Sequence, residues 1–147
     1  MIVAITIKKK VVVTATDILQ VNNCINGFLQ CLDEGDGKGM ASLFAENGTC
    51  EVVRINKKFE GPKEIESFCI NLHEKFKDTT HFESNPVITF NEVHEKETRA
   101  VNRSYWTGVK EGVIISYGIH EDTFTKDTKI NKWKFQHRII KHIWSAR

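Results

Sequence analysis

Only two prolines, Pro62 and Pro86, interrupt the 147 residues, and no Pro-, Gly- or Ser-rich stretch divides the chain. Linkers, repeats and low-complexity tracts are thereby excluded, and a single domain is expected. An excess of charge of one sign is also missing. The 21 Lys and Arg stand against 19 Asp and Glu, a net charge of +2. That balance offers no general attraction for nucleic acid or an anionic membrane, so neither is an expected partner. No apolar run approaches the ~20 residues of a bilayer span. The opening Met1-Ile2-Val3-Ala4-Ile5-Thr6-Ile7 is too short for a secretory signal and meets Lys8-Lys9-Lys10 from the wrong side. The expected address is cytoplasmic.

Cysteine spacing is uninformative in a useful way. Cys24, Cys31, Cys50 and Cys69 form no C-x-x-C pair, and they read as reduced, mostly buried small hydrophobes. Cys24 and Cys31 are seven apart on an expected helix, about 10 Å along its axis, beyond the ~7 Å that a disulfide tolerates. Nucleotide, serine-hydrolase and zinc-protease signatures are missing too. Gly35-Asp36-Gly37-Lys38-Gly39 lacks the spacing and the hydroxyl of a phosphate loop, and no G-x-S-x-G or H-E-x-x-H occurs.

What is present is an ordinary globular composition, 40% hydrophobic and 10% aromatic, enough for a core with room for a pocket. Residues 1–16 are apolar and β-branched around three lysines, which suits an edge strand, an arm onto a partner or a disordered tail. The domain proper is expected over 17–147. Thr16 or Asp17 is placed to cap a helix reaching about Glu34, with Ile18, Val21, Ile25, Phe28 and Leu32 as its apolar stripe. A short second helix is expected to carry Met40, Leu43 and Phe44 inward and to end at Asn47-Gly48. A strand follows from Thr49 to Ile55, then a turn at Asn56-Lys57-Lys58. Gly61-Pro62 opens a third helix bearing Ile65, Phe68, Cys69, Leu72 and Phe76. From Thr80 the period becomes two, with strands expected at 80–92, 98–109, 112–125 and 132–143. Helices ahead of a run of strands imply an α+β layer structure with a mostly antiparallel, strongly curved sheet. Strand 112–125 reads as at least partly buried on both faces, with Val113, Ile115, Tyr117 and Ile119 on one and Ile114, Phe124 and smaller or polar residues on the other, so a homodimer through the sheet is expected.

Three constellations bear chemistry. Asp33 ends the first helix on its apolar flank, which suits a partly desolvated base or the orienter of an imidazole. The plainer alternative is that Asp33 caps the turn at Gly35–Gly37. His81 begins the first strand of the second half, with Glu83 and Asn85 on its face, and is the side chain best suited to proton exchange near neutrality. His120 and Asp122 share a strand face at an H-x-D spacing, which would chelate iron only if His137 or His142 came alongside. Expected from strict alternation, His137 lies on the face of Trp133 and Phe135.

The strings Cys31-Leu32-Asp33-Glu34-Gly35-Asp36, Ala41-Ser42-Leu43-Phe44-Ala45-Glu46-Asn47-Gly48, Phe59-Glu60-Gly61-Pro62-Lys63-Glu64-Ile65, Thr80-His81-Phe82, Glu121-Asp122-Thr123-Phe124, and Trp133-Lys134-Phe135 with Arg138 occur in a telling order. The chain, from 17 to about 144, resembles the SnoaL-like branch of the nuclear transport factor 2-like superfamily. The resemblance implies a cystatin-like, cone-shaped α+β barrel whose curved sheet wraps a long N-terminal helix around a deep apolar pocket, usually in a dimer. Similar enzymes include scytalone-dehydratase-like and bile-acid-dehydratase-like lyases, polyketide cyclases and ketosteroid isomerases, which move protons beside a carbonyl without a metal. In the dehydratase-like members, an Asp ending the first helix and a His on the first sheet strand form the acid/base pair, and Asp33 and His81 match those positions. Where tyrosines often polarise the substrate in those enzymes, this chain has Leu32 before Asp33, and its only tyrosines are Tyr105 and Tyr117. These two, with Phe28, His120 and Asp122, are the expected substrate-binding side chains. The resemblance thus implies a cofactor-independent lyase or isomerase for a small hydrophobic carbonyl compound, with no metal. A non-catalytic binding protein or structural subunit of the same fold is the alternative.

Overall fold

The computed structural model describes residue 4, residues 12–94 and residues 97–147, with the side chains of 92–94 and 97 excepted. Most of the expected N-terminal arm or edge strand lies outside the described residues. Helix α1 spans Ala15–Glu34 and is capped by Thr14, not by Thr16 or Asp17. Asp17 instead closes a capping box: its carboxylate accepts the Thr14 backbone N–H at 2.9 Å, and Thr14 Oγ1 accepts the Asp17 N–H at 3.2 Å. Gly35, at φ 71°, ends α1, a left-handed position that glycine adopts without a Cβ penalty. Asp36 then caps α2 (Gly37–Ser42) by accepting the Gly39 N–H at 2.8 Å.

The second helix stops short of the expected Asn47-Gly48, because Phe44 already begins β1 (Phe44–Val52). Gly48 sits in that strand where a Cβ would stand 2.8 Å from the Ala45 carbonyl oxygen and 3.0 Å from that of Phe135. The glycine thus serves a close strand approach, and not a helix end. A 3-10 turn at Val53–Ile55 and Asn56, at φ 48°, lead into β2 (Lys57–Glu60). Helix α3 (Gly61–Lys75) starts with Pro62 in its first turn, followed by β3 (Thr79–His94), β4 (Glu97–Lys110), β5 (Val113–Asp127) and β6 (Lys132–Ser145).

The six strands form one sheet in the order β2-β1-β6-β5-β4-β3. The sheet is mixed: β1 runs parallel to β6, and the other pairs are antiparallel. The expected barrel, a strongly curved cone wrapped around the long helix, is not formed. The edge strands β2 and β3 do not pair with each other, so the sheet stays open. Helix α1 lies on the sheet instead of inside it. It buries Val21, Cys24, Ile25, Phe28, Leu29 and Leu32 but leaves Leu19, Asn23, Asn26 and Gln30 exposed. A helix with a polar face cannot be enclosed by apolar strands without desolvating that face.

Register shifts decide which side chains face α1. Phe124 pairs with Phe135 while Thr123 pairs with His137, so Gln136 is an extra residue in β6. Trp133 and Phe135 point inward before this bulge, and Arg138 and Ile140 after it. A second shift pairs Tyr117 with Trp144 and Gly118 with His142. The aromatic centre of the core is Phe28, Phe44, Phe124 and Phe135, with adjacent ring centroids 4.7–6.1 Å apart.

Candidate functional site

The end of α1 and the start of β3 meet at Asp33 and His81. The backbone N–H of His81 donates to Asp33 Oδ2 at 2.9 Å, and His81 Nδ1 lies 2.6 Å from Asp33 Oδ1. Both carboxylate oxygens are therefore committed to one residue. An ionised carboxylate only accepts, so Nδ1 is the nitrogen that donates to Asp33, and in the neutral imidazole the lone pair then lies on Nε2. The side chains are 23% and 10% exposed for Asp33 and His81, so the pair sits at a margin of the core. Three neighbours hold the helix end in place. His73 of α3 has Nδ1 3.0 Å from the Leu32 carbonyl oxygen, and Gly35 and Asp36 take over the turn and the cap. The capping alternative for Asp33 is thus met by other residues. On the far side of the imidazole, a Cβ at Gly108 would stand 3.5 Å from His81 Nε2, so glycine leaves space along that edge.

Deeper between β3 and β6 lies a buried polar network. Arg138 is fully buried and donates to Asp122 through Nε at 2.8 Å and Nη2 at 3.2 Å. Nη2 also reaches Glu83 Oε1 at 3.3 Å, and Ser104 Oγ donates to the same oxygen. His120 Nδ1 lies 2.9 and 3.0 Å from the two Glu83 oxygens. Asn102 Nδ2 donates to Ser104 Oγ and to Asp122 Oδ2, each at 2.9 Å. Apolar rings enclose the network. The Arg138 guanidinium stands 4.5 Å from the Phe28 ring centroid and 4.7 Å from that of Phe135, a cation–π sandwich. His120 lies edge-on to Phe28 and stacks on Trp106.

Burial sets the protonation of this network. It pushes the Glu83 carboxyl up, against the pull of Arg138 and the Ser104 hydroxyl. It also holds His120 well below the ordinary imidazole value, and Arg138 adds to that. Burial likewise opposes the charge of Arg138, but Asp122 and Glu83 outweigh it and keep the guanidinium protonated.

Of the expected substrate-binding residues, the structure brings Phe28, His120 and Asp122 together in this network. Tyr105 and Tyr117 lie on the opposite sheet face, 38% and 39% exposed. Tyr105 takes a hydrogen bond from Arg103 Nη1, and Tyr117 stacks on Trp144. His137 does not share the face of Trp133 and Phe135, because the bulge turns it outward to Thr49 and Glu51. No group of three or more His, Cys, Asp or Glu that could hold a metal ion occurs among the described residues. Glu83, Asn102, Ser104 and Arg138 are the members that sequence reading did not assign to the site. Two open pockets, of about 430 and 580 Å³, are lined by Glu46, Lys126 and Lys134 and by Arg54, His142 and Trp144, among others. Neither is lined by Asp33 or His81. Among the described residues no helix is long and apolar enough to cross a membrane.

Comparison with solved structures places the fold. A protein of unknown function with a cystatin-like fold from Nostoc punctiforme is 23% identical, with a TM-score of 0.78 over 90% of this chain and 96% of that one. A candidate scytalone dehydratase from Novosphingobium aromaticivorans is 20% identical, with a TM-score of 0.67 over 89% and 87%. The hexachlorocyclohexane dehydrochlorinase LinA-type3 from Novosphingobium barchaimii is 14% identical, with a TM-score of 0.69 over 89% of each chain. At these identities the likeness shows a shared fold. No curated protein matches the chain. The SnoaL-like domain matches residues 13–139, and the chain belongs to that family, within the nuclear transport factor 2-like superfamily.

Proposed function

We propose that the protein is a cofactor-independent lyase or isomerase acting on a small hydrophobic carbonyl compound, with Asp33 and His81 as its working pair. The observation that carries this reading is the double contact of the Asp33 carboxylate with the ring and the backbone of His81. It fixes the tautomer that leaves Nε2 free to take a proton, and the carboxylate then stabilises the imidazolium that forms. A substrate held with the carbon next to its carbonyl against Nε2 loses a proton there. The same nitrogen returns it at a second position for isomerisation, or to a leaving group for elimination. Structural neighbours named a dehydrochlorinase and a candidate dehydratase are consistent with elimination on this scaffold.

The test is proton exchange in deuterated water, followed by proton NMR on a panel of steroid, polyketide and terpenoid ketones. The wild type exchanges the protons beside the carbonyl of at least one compound, and His81→Gln abolishes that exchange. Equal exchange with the variant would refute the reading. The position of the two open pockets, away from Asp33 and His81, favours the non-catalytic alternative. Binding of a panel member without exchange is what that alternative requires.

The same reading includes a homodimer through the outer sheet face. Phe82, Thr107, Tyr117 and Trp144 form one row across β3, β4, β5 and β6. Its three aromatic residues are 55%, 39% and 45% exposed, an apolar row that a second copy would cover. Sedimentation at micromolar concentration should give twice the 16.9 kDa chain mass, and Tyr117→Glu should restore the monomer.

A further inference from the structure

We propose that Ser116 is a further catalytic residue, the hydroxyl that holds the substrate's carbonyl oxygen while His81 takes the proton from the carbon beside it. This rests on the base role proposed for His81. Loss of that proton drives negative charge onto the carbonyl oxygen, and the charge needs a hydrogen-bond donor already in place. The tyrosines do not supply one, since Tyr105 and Tyr117 face the other side of the sheet. Arg138 is fully buried and engaged by Asp122 and Glu83.

Strand register brings Ser116 to the imidazole. His81 pairs with Gly108, and Gly108 with Ser116, so the three stand in one row across β3, β4 and β5, on the face where Asp33 meets His81. The middle residue has no side chain. A Cβ on Gly108 would meet Ser116 Oγ at 3.0 Å and His81 Nε2 at 3.5 Å, and apart from its chain neighbours no other residue comes nearer. Nε2 and Oγ therefore flank one gap and lie no more than about 6.5 Å apart, the sum of the two distances. In a ketone the oxygen stands about 2.4 Å from the carbon beside the carbonyl, and contacts of about 3 Å at each end span the rest. Both atoms are also within reach. Among the described residues, the buried polar side-chain atoms without a hydrogen-bond partner are Asn102 Oδ1, Arg138 Nη1 and His142 Nδ1. His81 Nε2 and Ser116 Oγ have no partner there either and are not among those buried atoms, so a ligand can touch both. The row continues to Ser145 of β6, in the lining of the 580 Å³ cavity, the direction in which the body of a substrate can extend.

The step balances. His81 Nε2 takes the proton, the C–H bonding pair forms the C=C bond of an enolate, and the π pair of the carbonyl moves onto oxygen. Ser116 keeps its own proton and donates it as a hydrogen bond, which strengthens as the oxygen gains charge. The imidazolium is held by Asp33 until Nε2 returns the proton, to the same carbon for exchange or to a carbon further along for isomerisation. Gly108 keeps the gap open for the reacting carbon.

The test uses 2-tetralone labelled with carbon-13 at its carbonyl, with exchange beside the carbonyl followed by proton NMR in deuterated water. Ser116→Ala should lower kcat for exchange about 100-fold and leave KM within about threefold, and Ser116→Thr should restore most of the loss. Gly108→Ala fills the gap and should abolish exchange. Its fold should survive, since the Ser116 hydroxyl can swing away from the new methyl group, and the melting temperature checks this. A readout independent of turnover is the carbonyl carbon of bound tetralone, which should move upfield by several ppm in Ser116→Ala as the hydrogen bond is lost. Exchange unaffected by Ser116→Ala, or an unchanged carbonyl shift, would overturn the role of Ser116 and leave His81 standing. Exchange that survives His81→Gln would overturn the base, and the carbonyl shift would still decide whether Ser116 holds the oxygen. Failure of tetralone to bind the wild type would overturn both.

Discussion

Gly118 of β5 lies directly beneath the indole of Trp106 on β4. A Cβ at Gly118 would stand 2.8 Å from Trp106 Cε2 and Cζ2 and 1.9 Å from the Lys141 carbonyl oxygen. That carbonyl also accepts the Trp106 Nε1–H at 3.1 Å. One missing methyl group thus lets the indole lie flat, bond to β6 and stack on His120. Gly118→Ala forces either the indole or the β5–β6 pairing to move, and neither backbone nor ring has a free direction. The expected loss is about 3 kcal/mol, measured by urea denaturation. The fluorescence of the folded variant should also shift as the indole leaves its site.

Asp33→Asn keeps the size of the side chain but removes one acceptor and the charge. The carboxamide can still take the His81 N–H, or hold the ring, but it no longer fixes the imidazole by two accepting oxygens. Proton exchange of a bound ketone should fall about 10²- to 10⁴-fold, with the melting temperature little changed. A nitrogen-15 spectrum of the imidazole should show the Nδ1–H form lose its dominance. An unchanged tautomer in the variant would mean that Asp33 does not orient the ring.

The Asp33–His81 contact was legible only through the resemblance of whole strings to a family. By position alone, Asp33 before two glycines reads sooner as a turn cap than as a base, and nothing local shows that Gly35 and Asp36 perform that task. Arg138 was illegible for a sharper reason. Alternation from Trp133 and Phe135 puts residue 137 inward and 138 outward. The bulge at Gln136 reverses the faces, and a single inserted residue leaves no mark in composition or period. The strands themselves were legible because period two persists for long runs on either side of each bulge. Sheet closure was not. It depends on whether the two edge strands at opposite ends of the six-stranded sheet find each other, and β2 and β3 do not.

Asp17 ties the start of α1 to the far strands. Burial alone would raise its carboxyl, but Trp133 Nε1 at 2.9 Å, the Thr14 N–H and hydroxyl at 2.9 Å each, and Lys126 Nζ at 3.1 Å together hold it well below the ordinary value of 3.8. A carboxyl depressed in the folded state stabilises it fully above the unfolded value, and that contribution fades as pH falls from 3.8 toward the folded value. Asp17→Asn should therefore lower stability by about 2 kcal/mol at neutral pH. The deficit should shrink in acid, where the wild type loses what the variant never had. Urea midpoints from pH 7 to pH 2 measure both.

Glu83 and His120 make opposite demands on pH, and removing either should expose the other. His120 is depressed from 6.5, so the unfolded chain takes up a proton below that pH that the folded chain refuses, and stability falls as pH falls. Glu83 is raised from 4.5, so its contribution is full below 4.5 and is lost as pH rises through the folded value. Above 4.5 and below 6.5 the two groups oppose each other in proton uptake, so the wild-type slope from them is smaller than that of either group alone. His120→Gln leaves only the Glu83 contribution, so stability should decline with rising pH across that window, by up to about 1.4 kcal/mol per unit. Glu83→Gln should give the reverse slope. Denaturation midpoints at pH 5 and pH 6 distinguish the three proteins, and parallel slopes would show that the two groups do not share a proton.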